Sequence, residues 1–598
     1  MKFRIPLIVK DPSVTEAKGL DLTEAWTVEE EVFLDGPVTP RVAVLDFDPG
    51  TGALMPGIPV EPDADSDGPG AYRIAAPHDL AARDLTNVSV FGSIYRTIAM
   101  FEEPDALGRP IDWAFDGPQL LVVPRAGEWA NAFYDRRSRS LQFFWFRSAR
   151  DRERTIYTSH SQDIVAHETA HAILDGIAPD LYHATLPQSL AIHEAVADVA
   201  ALLVSFRSRT LTRAVLDATG GSIQDSNAFN SIASEFGQEL DATRDYLRSL
   251  LNLKSLDPEP WQEGVDPASP HDVSQVLSGA LYTVMVQLHE TLKTEMATEK
   301  LEESKVVETE EAIAQLQKQG VEPEQAPRAA GERDPQRLKE ARRAVSGKAL
   351  FVGAERLKRT LVRGLDYLPP GEATFADLGR AILAADQASH PASSAQRDWI
   401  AEEFLRRAIV RDPAELKVRT DFRRAAVSRL DLEQLVESDW AAYDFANRNR
   451  RLLGIPPKVP FRVLPRLDVR KVNWHREGRR KVRECILKVS WTETEGNVLR
   501  GSIARRRRFV AGTTLAIDWE SKRIRALLTS ERGERQREER DGFLRRLQEA
   551  DVLVPEDLAR GPDGKALRGV VPFAVGDGHL RVYGTGRMLH VAPEATRG

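Results

Sequence analysis

Five consecutive residues, His167-Glu168-Thr169-Ala170-His171, have the types and spacing to do chemistry. On a helix, positions i and i+4 project from one face, so both imidazoles can reach one metal ion while Glu168 stands beside it to handle a proton. Zinc suits such a site, and a catalytic zinc wants three protein ligands and one open position. Chance is the competing explanation, because the chain has 12 His. The flanks argue against chance. Ile164-Val165-Ala166 and Ala172-Ile173-Leu174 are the apolar faces of a buried helix, and polar side chains inside such a helix need a partner.

A third ligand is available downstream in His193-Glu194-Ala195-Val196-Ala197-Asp198, again inside an Ala/Val/Leu helical pattern. Glu194 and Asp198 are four apart and share a face. Glu194 can complete the ligand set, leaving Asp198 to accept the second ring N–H of a ligand histidine and so fix its tautomer. His193 is a rival ligand, although it points ~100° away from Glu194 around the helix.

Helices must therefore carry the site, and the wider pattern supplies them. From Asp163 to about residue 290, and again from about 348 to 410, Ala-rich segments run at helical spacing. Upstream the texture is different. Residues 1–75 are rich in Pro, Gly, Asp and Val, with apolar runs such as Val42–Phe47, and read as short β-strands closed by the turn-forming stretch Asp63–Gly70. Gln119–Val123 and Leu141–Phe146 are further strand candidates. Between Lys293 and Arg343 there is no Phe, Trp or Tyr, which suits a charged, partly helical insertion with a loose Gly331–Pro335 region. The expected class is α+β, with a core spanning 76–411, a β-rich region before it and an accessory module, helix then strands, over 412–598.

Several stretches together resemble the thermolysin-like zinc peptidases, a gluzincin family. HExxH followed by ExxxD is similar to their ligand set, with His167, His171 and Glu194 as ligands and Asp198 behind them. Asn131-Ala132-Phe133-Tyr134 resembles their edge strand, in which Asn131 and Ala132 would hold the substrate chain. Tyr182 falls where the family keeps an oxyanion donor, and His271-Asp272-Val273-Ser274 resembles the segment with the second donor, His271, paired with an acid at Asp266. Arg248 resembles the family arginine that binds a substrate carbonyl. Tyr367-Leu368-Pro369-Pro370 resembles the start of the closing helices. The resemblance covers about residues 85–411 and implies a two-lobed fold, a bound Zn2+ ion, Glu168 as general base and peptide-bond hydrolysis. It departs from the family in having His193 before the glutamate. Asp163 matches a calcium ligand of the family, but Ser205 stands where its partner glutamate would be, so calcium is not expected.

Composition narrows the setting. The 598 residues carry 82 basic and 90 acidic side chains, net -8, which gives no general attraction to nucleic acid or membranes. Residues 412–541 are the exception, with 31 Lys or Arg against 20 Asp or Glu. Runs such as Arg505–Arg508 stand near Trp491 and Phe509, but interspersed Glu477, Glu484, Glu493 and Glu495 favour a mixed solvated surface, so nucleic acid is not the expected partner. The single cysteine, Cys485, excludes a cysteine-built metal site and suits a reducing compartment. The N-terminal MKFRIPLIVK is a poor signal peptide and no stretch reaches the ~18–20 apolar residues of a membrane span, so a cytoplasmic protein is expected. Its expected partner is a protein or peptide substrate. A peptidase inside a cell also needs restraint, so a regulatory protein partner is a further expectation that no residue carries. The alternative function is a zinc-retaining regulatory or scaffold protein that binds through its C-terminal module.

Overall fold

A computed structural model describes the chain apart from residues 49, 62–69, 78, 268, 319–334, 390–393, 419–426, 428, 476–477, 500–504, 557, 559–569 and 583–598. Most of the turn-forming stretch at 63–70 and of the loose region at 331–335 therefore lies outside the described residues.

The alternation in the first residues makes a strand, Lys2–Ile8, which pairs antiparallel with Thr23–Glu29. Phe3, Ile5 and Leu7 form its buried face and press onto the helix Arg83–Glu102. The contact is close. A Cβ at Gly92 would stand 2.4 Å from Leu7 Cδ2, so only glycine lets strand and helix meet. These residues share one apolar core with Val165, Val196, Leu277 and Leu361, which unites the N-terminal strands with the helices that follow.

A four-stranded sheet lies beside them in the order Val42–Val44, Leu120–Val123, Ser140–Phe143, Ala132–Asp135. The first three strands are parallel and the last is antiparallel at the edge, with Ala132 opposite Phe143 and Asp135 opposite Ser140. The strand candidates read from the sequence are thus present, and they put Asn131 and Ala132 at the start of an edge strand.

The helical half begins with Gln162–Ile177, whose N-terminus is capped by the Ser161 hydroxyl accepting from the Ile164 amide. Pro187–Ser205 packs against it and is buried along its whole length. Among the described residues this is the one helix long and apolar enough to cross a membrane, and its apolar surface is wholly covered by protein. Pro270–Lys318 and Pro335–Tyr367 lie side by side and carry most of the charged stretch between Lys293 and Arg343. The stretch is helical at both ends, and its ends are core. Ala297 and Ala341 are buried, and the Lys293 ammonium donates to Gly221 O at 2.9 Å.

After residue 412 a seven-stranded mixed sheet has an antiparallel part built from Phe461–His475, Gly478–Gly496, Arg506–Asp518 and Ile524–Thr529. The helix Glu534–Glu549 follows, and then three short strands, Leu553–Pro555, Val571–Gly576 and His579–Val582, the last pairing parallel with Arg506–Asp518. One face has its own apolar cluster, including buried Cys485, Leu487, Val489 and Leu515. Ile486, Ala516 and Ala526 on the other face join the main core. The Tyr367–Glu372 loop lies directly on this sheet: Glu372 N donates to Val510 O at 3.1 Å. The whole is an α+β protein.

Candidate metal centre

The Gln162–Ile177 and Pro187–Ser205 helices pack face to face, and their polar residues meet in the buried seam. His167, His171 and Glu194 each bring one ligand atom to a group whose members all lie within 4.8 Å of one another. Nε2 of His171 is 3.1 Å from Nε2 of His167 and 3.3 Å from Oε1 of Glu194, and Nε2 of His167 is 3.6 Å from Oε2 of Glu194. Ligands ~2.0–2.1 Å from a tetrahedral zinc are themselves about 3.3 Å apart, so this triangle has the right edge for such an ion. All three side chains are at most 7% exposed. Two imidazole nitrogens and a carboxylate facing one another in a dry seam could hold a metal ion between them.

The rival ligand is resolved by placement. His193 Nδ1 lies 3.5 Å from Nδ1 of His171, on the far side of that ring from the triangle, and burial drives the His193 ring well below its ordinary pKa. A neutral imidazole there backs His171.

Asp198 stands where the sequence spacing puts it. Its Oδ1 is 3.0 Å from Nδ1 of His167, a separation from which a carboxylate would keep the proton on Nδ1 and leave Nε2 to an ion in the triangle. Against burial, the Asp198 and Glu194 carboxylates hold His167 up at about 10, while burial takes His171 down to about 4. The two rings therefore differ in charge preference although they are four residues apart.

Glu168 is 5% exposed, and its Oε2 accepts from the Tyr134 amide at 3.1 Å. The edge strand thus holds the candidate base. Burial pushes the Glu168 carboxyl up to about 8, with the Glu194 charge adding to it. Asn131 and Ala132 precede Tyr134 on that strand, and the Asn131 side-chain oxygen accepts from the Ala132 amide at 2.8 Å.

Arg248 and His271 close the other side. Arg248 Nη1 donates to Glu194 Oε2 at 2.8 Å, its Nη2 is 3.0 Å from Asp198 Oδ1, and Nη2 also lies 3.4 Å from His167 Nε2. His271 Nε2 is 3.4 Å from Glu194 Oε1; at 33% its side chain is the most open of the group, and burial lowers its pKa. Asp266, expected beside His271, has its carboxylate on Arg546 of the C-terminal helix at 2.5 Å, and the acid that meets the His271 ring is Glu194. Tyr182 lies in the turn Pro179–His183, its ring edge-on to Tyr134 at 6.1 Å and to His193 at 6.4 Å. It is thus one ring, that of His193, removed from the candidate ligand His171.

Near the start of the motif helix, Asp163 is fully buried and takes the Lys10 ammonium at 2.5 and 2.6 Å, the Ala233 amide at 3.1 Å and the Ser205 hydroxyl at 3.3 Å. The cation beside this carboxylate is an amino group of the protein. Nothing in the local sequence pointed to it, since Lys10 is 153 residues away. A second acidic group, Glu103, Asp105 and Glu355, surrounds the buried Lys358 ammonium and pairs with Arg207, which makes it an ion-pair cluster.

No protein-family model matches the chain, and no curated protein matches it.

Proposed function

We propose that the chain is a zinc-dependent endopeptidase with a thermolysin-like, two-lobed catalytic region. The observation that carries this reading is the coincidence of the His167–His171–Glu194 triangle with a buried carboxylate, Glu168, tethered to the backbone of an edge strand. A metal site that served structure alone needs four ligands and no neighbouring base.

A zinc ion held by His167, His171 and Glu194 would acidify a water to a pKa of ~7 and polarise a peptide carbonyl. Burial raises the Glu168 carboxyl to about 8; the charge of a bound zinc ion would favour its ionised form, which would take a proton from that water and return it to the leaving nitrogen. A substrate in extended form adds to the open side of Ala132–Asp135, so that its backbone bonds fix the scissile group next to Glu168. His271, whose Nε2 borders the triangle, would donate to the developing oxyanion, with Tyr182, one ring removed from His171, as the second candidate donor, each contributing on the order of 2–4 kcal/mol to the barrier. Arg248 anchors Glu194 and Asp198 and offers its remaining N–H groups to a substrate carbonyl.

The test compares the wild-type protein with Glu168→Gln, measuring bound metal and cleavage of a denatured protein together. Zinc in both with cleavage by the wild type alone supports the proposal. Equal cleavage by both, or zinc with no cleavage of a broad peptide library, moves the reading to a zinc-retaining scaffold.

A further inference from the structure

Arg136 follows the edge strand directly, and its guanidinium is engaged from every side. Its Nε donates to Asp175 Oδ2 at 2.7 Å and its Nη2 to Asp175 Oδ1, forming a two-pronged pair with a fully buried carboxylate near the end of the motif helix. Nη2 also donates to Pro179 O at 2.8 Å and Nη1 to Nε2 of His183 at 2.7 Å, the two ends of the turn that holds Tyr182. The carbon at the centre of the guanidinium lies 4.6 Å from the centroid of the Tyr182 ring. Tyr134, two residues earlier on the strand, donates its hydroxyl to the same Asp175 oxygen at 2.8 Å.

One side chain thus ties together the strand that would hold substrate, the helix that carries His167 and His171, and the turn that carries Tyr182. Its fork matches the carboxylate in two places and leaves its flat face over the phenol ring, a combination a lysine ammonium cannot reproduce. We propose that Arg136 is a positioning residue for Tyr182: it fixes the turn so that the phenol is set relative to substrate lying on the edge strand. The proposal rests on the peptidase reading and adds to it a residue whose effect on turnover passes through Tyr182.

The experiment is a double-mutant cycle on the zinc-loaded full chain with Arg136→Met, Tyr182→Phe and both together, alongside Glu168→Gln. Arg136→Met lowers kcat about tenfold and changes KM by less than about threefold, because the contact acts on the transition state. In the Tyr182→Phe background the same change lowers kcat by less than about twofold, since the group it positions has lost its hydroxyl. Arg136→Lys, which keeps the charge but not the fork, falls between wild type and Arg136→Met, and it carries the test alone if the methionine variant does not fold or does not hold wild-type zinc. Losses that multiply across the cycle, or a kcat equal to wild type in the folded, zinc-loaded variant, overturn this inference while Glu168-dependent cleavage leaves the peptidase reading standing. Absence of Glu168-dependent cleavage in the wild type overturns both.

Discussion

His167 and Arg248 converge on a single oxygen: Oδ1 of Asp198 is 3.0 Å from Nδ1 of the histidine and 3.0 Å from Nη2 of the arginine. One carboxylate therefore faces both the ring of a candidate metal ligand, His167, and the guanidinium that pairs with Glu194. Asp198→Ala leaves His167 Nδ1 without a facing carboxylate and Arg248 with Glu194 alone. Zinc affinity and turnover fall ~10–100-fold, as when other residues that orient ligands are lost. A competitive chelator titration with parallel activity measurements checks this, and unchanged values would remove Asp198 from the centre.

Metal removal has a stability readout of its own. An ion that binds only the folded chain stabilises it by about 2.7 kcal/mol at a hundredfold excess over Kd. A strong chelator lowers the Tm of the wild type, and added zinc restores it. Glu194→Gln breaks the triangle at Oε1 and Oε2, so its Tm responds weakly to either addition. Calorimetry with and without chelator separates the two.

Two arginines tie the C-terminal helix to the rest of the chain, and they are not equivalent. Arg540 is 4% exposed at its side chain and reaches Glu372 at 3.0 Å and Glu495 at 2.7 Å, while Glu372 in turn accepts from the Thr185 amide at 2.6 Å. Arg546 and Asp266 are each about half exposed. Losing one member of a buried pair costs about 3–5 kcal/mol, whereas an exposed pair contributes about 0–1 kcal/mol. Denaturant melts of Arg540→Ala and Arg546→Ala should show a large and a negligible loss, in that order.

His289 makes the acid response specific. Burial, with the Lys293 charge next, takes its pKa down to about 4, and its Nε2 meets Ser346 Oγ at 3.1 Å. The unfolded chain, near 6.5, binds more protons between those two values. The contribution to stability is thus complete above pH 6.5 and is lost as pH falls toward 4, up to about 3 kcal/mol. In metal-free protein, His289→Gln flattens the decline between pH 7 and 4.5. Equal slopes in urea melts would show that this ring is not the cause.

Excision of the charged insertion has a sharp boundary. Removing all of 293–343, which the sequence pattern presents as an excursion, takes away buried Lys293, Ala297 and Ala341 and the Lys293–Gly221 bond. Removing only residues 302–334 and joining the helices by a short glycine turn spares them. The shorter deletion keeps one cooperative melt, while the longer one lowers its midpoint or broadens it.

The candidate ligands were legible as two local pairs on separate helices. Helical geometry alone aligns His167 with His171 and Glu194 with Asp198, and the apolar residues between them say which way each helix faces. The α+β class and the helical character of the charged stretch followed from patterns of the same short range, whereas the edge-strand position of Asn131 and Ala132 was expected only from the resemblance. What only the folded chain decided are pairings across long separations. Lys10 against Asp163, Arg136 under Tyr182, Arg546 taking Asp266, and a C-terminal sheet sharing the main core all depend on which surfaces meet. Periodicity reports the side a residue faces. The partner it finds there is set by the packing of elements that lie far apart along the chain.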